Sequence, residues 1–150
     1  MIKDTQCEKK IETILDCIRK GDDLIWNYYE LFQRSDITDE LVKYCIKYGQ
    51  EYYFVPEDAW FILTENKNFP LKFLGKLIRM LEEDGFNIKK ILNWEKLSSH
   101  KDLDRKYIKN HMNLPWDLEL VKKFFTKNSK RYARLVELHE SNLVYYLDND

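Results

Sequence analysis

The sequence predicts a single all-α domain of about seven or eight helices, and three observations predict it. Apolar residues recur at helical spacing along almost the whole chain. Strand-like alternation is nearly absent, residues 50–55 (QEYYFV) being the one stretch that reads as extended. Glycine and proline, at 4 and 3 of 150 residues, are too scarce for a turn-rich β-sandwich.

Taken in order, Ile11, Ile14, Leu15 and Ile18 share one helical face, and Gly21 follows as a stop. A second helix is expected over 22–34 and a third over 38–48, with Gly49 at its end. Asp39 and Glu40 suit the positive end of that third helix dipole. Pro56 sits where proline opens a helix, here one running through Trp60 to Thr64. Pro70 opens the next, over 71–83, which Gly85 closes. Helices over 88–97 and 104–112 follow, Pro115 starts another with Trp116, and residues 130–147 form the last, with Leu135, Leu138 and Tyr145 toward the core.

Size and charge narrow the function classes. A chain of 150 residues suits one domain, burying about two-thirds of its unfolded surface. With 44% hydrophobic and 15% aromatic residues it is too apolar to be disordered. Lys and Arg number 25 against 26 Asp and Glu, so no global basic field points to nucleic acid. The first twenty residues carry charges in every turn and lack a signal-peptide block, and the apolar runs 52–55 and 59–63 are far short of the ~20 residues a membrane span needs. Cys7, Cys17 and Cys45 are odd in number and lack a C-x-x-C spacing, which suits a reducing compartment. The expected location is the cytoplasm, that of the host if the chain is viral.

The most specific signal is internal. Tyr28, Trp60 and Trp94 align, and so do Leu31, Leu63 and Leu97. Asp36, Asn68 and Asp102 follow, then Ile37, Phe69 and Leu103. The pairs Leu41-Val42, Phe73-Leu74 and Tyr107-Ile108 come next, and Ile46, Ile78 and Met112 complete the window. The offsets are 32 and then 34 residues, without internal gaps. Such a period marks helical pairs stacked side by side. Three units are expected, over about 22–49, 56–85 and 88–113, between a capping helix near 5–20 and closing helices over 115–147. In each, the Asp or Asn of the turn is expected to cap the second helix, and the apolar residue after it to act as a staple.

The stretch Trp94-Glu-Lys-Leu97-Ser98-Ser-His100-Lys-Asp102-Leu103-Asp104, continuing through Tyr107-Ile108 to Pro115-Trp116-Asp117, resembles the short helical repeats of giant DNA virus proteins. Those repeats read W-x-x-L-S-x-N-P-N-I-T, then an aromatic–aliphatic pair, then a return to P-W-D. The unit from Trp60, with Leu63, Thr64, Asn66, Asn68, Phe69, Phe73 and Leu74, is a partial match. His100 and Lys101 depart from the pattern's Asn-Pro. The resemblance implies a repeat scaffold rather than a reaction.

The recognisable catalytic motifs are absent from the sequence, and with them any expected cofactor. His100, Asp102 and Asp104 read as a polar turn rather than metal ligands, His111 as a partly buried face residue, and Cys17 and Cys45 as small hydrophobes. Tyr28-Tyr29, Tyr52-Tyr53 and Tyr145-Tyr146 must each expose a ring, because neighbours on a helix cannot both face the core. Exposed tyrosine favours interfaces. Glu82, Glu83 and Asp84 form an acidic knob at a helix end. The leading expectation is therefore a non-enzymatic protein-binding module, such as an inhibitor, an immunity protein or a virus-encoded host-interaction factor, with Tyr28, Tyr52, Tyr53, Glu82, Glu83 and Asp84 at the contact. The alternative is nucleic-acid binding through Lys122, Lys123, Lys127, Lys130, Arg131 and Arg134, interleaved with Phe124, Phe125 and Tyr132.

Overall fold

The computed structural model describes residues 3–5, 9–20, 24–49, 55–126 and 129–148. It is mostly helical. The chain divides into two compact units, Met1–Asn93 and Trp94–Asp150.

The first unit opens with β1 (Lys3–Thr5), α1 (Ile11–Arg19) and β2 (Leu24–Trp26). β1 and β2 pair in parallel, Lys3 opposite Leu24 and Thr5 opposite Trp26. The helix expected over 22–34 is thus replaced by a short strand and α2 (Tyr28–Leu31). The cause is Asn27, whose side chain accepts from Glu30 N–H and starts the helix there, while Leu24-Ile25-Trp26 carries the branched and aromatic residues that favour extended backbone. α3 (Asp39–Tyr48) follows, capped by Thr38 Oγ1 on Leu41 N–H at 3.2 Å.

α4 (Ala59–Glu65) leads to Pro70, a 3₁₀ turn (Leu71–Phe73) and α5 (Leu74–Glu83). Gly85 closes α5 in the left-handed region, at φ 84°. Phe86 N–H donates to Leu81 C=O at 2.9 Å and Gly85 N–H to Glu82 C=O at 3.0 Å, the double bond of a Schellman end. The helix expected over 88–97 is two, α6 (Ile88–Ile91) and α7 (Trp94–Ser98). Thr64 and Glu65 divide them. Asn93 N–H donates to Thr64 Oγ1 at 3.0 Å and its Nδ2 to Glu65 Oε2 at 3.2 Å, and these bonds hold residues 92–93 out of the helix.

Within the first unit α2 lies against α4, and α3 against α5. Leu31, Phe32, Leu41, Val42, Cys45, Trp60, Leu63, Leu74, Leu77 and Leu81 are fully enclosed. Burial pushes the Cys45 thiol up to about 12. A thiol needs its thiolate to react. Native-state alkylation at pH 8 should therefore spare Cys45 until the chain unfolds, which site-resolved mass spectrometry checks; labelling of Cys45 at the rate of a free thiol would contradict its burial.

The second unit holds α7, α8 (Arg105–Asn110), α9 (Leu118–Val121), a 3₁₀ turn (Lys122–Phe124) and α10 (Lys130–Asp148). α9 begins after Asp117, which caps it by accepting from Glu119 and Leu120 N–H, so Pro115 and Trp116 precede the helix instead of opening it. Trp94 and Trp116 meet edge to face at 5.5 Å, and Leu135 anchors α10 in the core. Among the described residues no helix is long and apolar enough to cross a membrane.

Candidate functional site

Some of the aligned positions are buried in all three stretches, whereas Ile37, Tyr107 and Met112 are only half-buried where their counterparts are enclosed. Tyr28, Trp60 and Trp94 are all buried, as are Leu31, Leu63 and Leu97. The cap expected at Asp36, Asn68 and Asp102 belongs two residues later. Thr38 and Asp104 accept the free N–H groups of α3 and α8, and Pro70 stands at the equivalent place before α5. The turn residues are otherwise employed. Asn66 Oδ1 accepts from Asn68 N–H at 2.8 Å, and the equivalent His100 Nδ1 accepts from Asp102 N–H at 3.0 Å. Each side chain thus closes a small ring across the turn. The His100 ring is engaged as a turn acceptor, as its polar-turn reading expects.

Two turns of the first unit are joined directly. Asn66 Nδ2 donates to Phe32 and Arg34 C=O, both at 2.8 Å, and Asn68 Nδ2 to Ser35 C=O at 2.8 Å. Arg34 grips both carboxylate oxygens of Asp36, at 2.8 and 2.7 Å, and reaches Lys9 C=O. That guanidinium holds the Asp36 carboxyl below the usual carboxylate range. A lowered carboxyl pKa contributes stability above its unfolded value and loses it as pH falls through the folded one. Asp36 should therefore titrate by NMR with a midpoint below that of a free aspartate, and an Arg34→Ala variant should restore the free value.

Two buried hydroxyls repeat the theme. Thr64 Oγ1 receives Asn93 N–H at 3.0 Å, and Ser98 Oγ receives Asp117 N–H at 2.8 Å. Both follow the aligned leucine, and both are enclosed, at 1% and 0% exposure. In each case the donor is the residue next to a buried tryptophan, Trp94 or Trp116. The sequence marked these hydroxyls only as letters of a motif; their partners lie in the following segment, where spacing gives no signal.

No protein-family model, curated protein or solved structure matches this chain. Its site must be read from its own geometry.

Two surfaces stand out. Tyr29 on α2 and Phe61 on α4 are large apolar side chains left exposed, at 37% and 40%. They occupy one repeat position, 32 residues apart. The Tyr29 hydroxyl donates to Asp58 Oδ1 at 2.5 Å, and Asp58 lies one turn before Phe61. That carboxylate raises the Tyr29 phenol above its ordinary pKa. The second surface is a groove of about 310 Å³ beside α3 and α5. Its apolar part is Ile46, Phe73 and Met80. Lys43 and Lys47 of α3 and Lys76 and Arg79 of α5 bring positive charge, with Glu83 the one carboxylate of the lining.

The sequence-derived contact residues scatter. Tyr28 is buried at 3% exposure, so it is corrected from contact to core residue; the exposed ring of its pair is Tyr29. The reason is register, because position 28 shares the inward face with Leu31. Tyr52 and Tyr53 lie outside the described residues, as do the side chains of Tyr145 and Tyr146. Glu82, Glu83 and Asp84 are exposed at the end of α5. Of the basic tract, Lys122 bonds Glu119 at 2.7 Å and Arg134 meets Glu137 at 3.3 Å. Lys123, Lys130 and Arg131 are exposed, and Lys127 lies outside the described residues. Phe124, Phe125 and Tyr132 are half-buried, with Phe125 against Tyr132 at 5.8 Å. Among the described residues no three His, Cys, Asp or Glu side chains are grouped to hold a metal ion.

Proposed function

We propose that this chain is a non-enzymatic protein-binding module that masks a partner's surface inside the cell. Its scaffold, in this reading, is three stacked helical pairs akin to the repeats of giant DNA virus proteins, and its role is that of an inhibitor, immunity protein or virus-encoded host factor. The observation that carries it is the exposure of Tyr29 and Phe61 at one repeat position on adjacent helices. An exposed ring sheds water for a partner at little entropic cost, and aromatic anchors dominate binding energy at interfaces.

The test compares the wild-type chain with a Tyr29→Ala/Phe61→Ala double variant in affinity capture from the native host. Recovery of one stoichiometric protein by the wild type, reduced at least tenfold for the variant, is the expected result. Equal recovery by both would remove the aromatic pair from the interface, and nuclease-sensitive recovery would favour the alternative below.

A second reading, nucleic-acid binding, has one observation in its favour. Lys109 of α8 has its ammonium pKa lowered, first by desolvation and then by Arg131 and Arg105. The like charges of Arg131 and Arg105 act on Lys109, and a polyanion would offset them. Oligonucleotide affinity that falls steeply with salt would support this reading; absence of binding at low salt would end it.

A further inference from the structure

The groove beside α3 and α5 has an apolar floor and a positive rim, whereas the whole chain is nearly neutral at a net charge of −1. Its four cations stand on both helices, two on α3 and two on α5, against the single carboxylate of Glu83. Lys43, Lys76 and Arg79 make no ion pair with any described residue. Solvated lysines on a helix are common; here cations of two helices line one channel with an apolar part. The floor runs from Phe73 to Met80, seven residues and so about 10 Å along the axis, or two helical turns.

We propose that this groove is the docking site for one amphipathic helix of a partner protein, and that the polar edges of that helix are acidic. The inference extends the protein-binding reading to a second surface and names the chemistry of what it receives. A helix laid into the groove sets two or three apolar side chains, at i, i+3 or i+4 and i+7, on Ile46, Phe73 and Met80. Met80 adapts to their shape, as flexible thioethers do at helix-binding surfaces. Glu or Asp on either flank then meets Lys43 on one side and Lys76 and Arg79 on the other. A nucleic acid fits less well. It asks for exposed rings on which bases stack, and Phe73, the ring of the lining, is 9% exposed with Lys72 and Lys76 over it. At about 310 Å³ the site is at the lower limit for enclosing a small molecule, but sufficient for a row of side chains.

The probes are two synthetic helical peptides of about 18 residues. They share a Leu face at i, i+3, i+4 and i+7, and their polar faces are all Glu in one and all Lys in the other. Binding to the full chain is followed by anisotropy and by NMR shift mapping. The Glu peptide should bind with Kd on the order of 10 μM at low salt. The Lys peptide should bind at least tenfold more weakly. The largest shifts should fall on Ile46, Phe73 and Met80, and Lys76→Glu/Arg79→Glu should weaken the Glu peptide at least tenfold while circular dichroism stays unchanged. Equal affinity for both peptides, no binding of the Glu peptide, shifts centred elsewhere, or indifference to the charge reversal would each overturn the proposal. So would a single-stranded oligonucleotide or an anionic vesicle moving the groove resonances where the Glu peptide does not. Tyr29→Ala/Phe61→Ala leaves the groove untouched and should bind the peptide normally, so failure of the groove proposal and failure of the aromatic interface are read separately.

Discussion

Replacing Trp60 by alanine is expected to cost about 3–5 kcal/mol, enough to unfold much of the first unit under mild denaturant. The ring is wholly buried on α4 and lies 5.7 Å from Phe32. A core relaxes only in part around the space an indole leaves. Trp60→Phe separates volume from polarity. Among the described residues the indole Nε1 has no hydrogen-bond partner, so losing it sacrifices no bond there, and the phenyl ring keeps most of the apolar contact. The phenylalanine variant should therefore cost less than half as much in urea unfolding. Equal losses for the two variants, or an alanine variant within about 0.5 kcal/mol of wild type, would contradict the packing described for this position.

The second large effect is expected at Asn66. Its Nδ2 holds two backbone carbonyls of the preceding turn, Phe32 and Arg34, and its Oδ1 holds Asn68 N–H. Asn66→Asp keeps the acceptor and the shape but exchanges both donated bonds for a carboxylate oxygen facing two carbonyl oxygens. The expected loss is about 2–4 kcal/mol. Asn68→Asp, which sacrifices the bond to Ser35 C=O at a more exposed turn, should cost less. The order of the two variants is as informative as their size, because it follows from how far each amide is buried. If Asn66→Asp were neutral, the joining of the two turns would carry no stability.

The sequence was most informative where a face repeats and least where a segment waits for a distant partner. Apolar spacing located the cores of α1, α3 and α5, because each buries one stripe and the stripe is written locally. On α10 Leu135 is buried as expected, whereas Leu138 is half-buried and the side chain of Tyr145 lies outside the described residues. Gly85 as the end of α5 was equally legible, since a left-handed residue at a helix end favours glycine. The division between α6 and α7 was not. Residues 88–97 read as continuous helix, and Thr64 and Glu65, nearly thirty residues earlier, hold Asn93 out of it. The strand at Leu24–Trp26 failed for a similar reason, since its partner is Lys3–Thr5. Caps were misplaced by two residues, because Asp36, Asn68 and Asp102 resemble caps while Thr38 and Asp104 do the capping.

The binding surfaces were harder still. The tyrosine pairs announced that rings must be exposed, but which ring depends on register, and Tyr29 rather than Tyr28 faces out. Phe61 carries no signal of its own, since an aromatic on an amphipathic helix usually faces the core. The groove cations Lys43, Lys47, Lys76 and Arg79 are scattered through two helices as ordinary surface residues; only the contact of α3 with α5 gathers them. A feature of that kind has no spacing of its own to be read.

Backbone amide hydrogen exchange at Asn93 and Asp117 tests most directly whether the Thr64 and Ser98 hydroxyls play the same part. Thr64 and Ser98 hold these two N–H groups from equivalent positions, at 3.0 and 2.8 Å. Both amides should exchange slowly, with Thr64→Val exposing the first alone and Ser98→Ala the second alone. Rapid exchange at either amide in the wild-type chain, or protection that survives loss of its hydroxyl, would contradict that shared part.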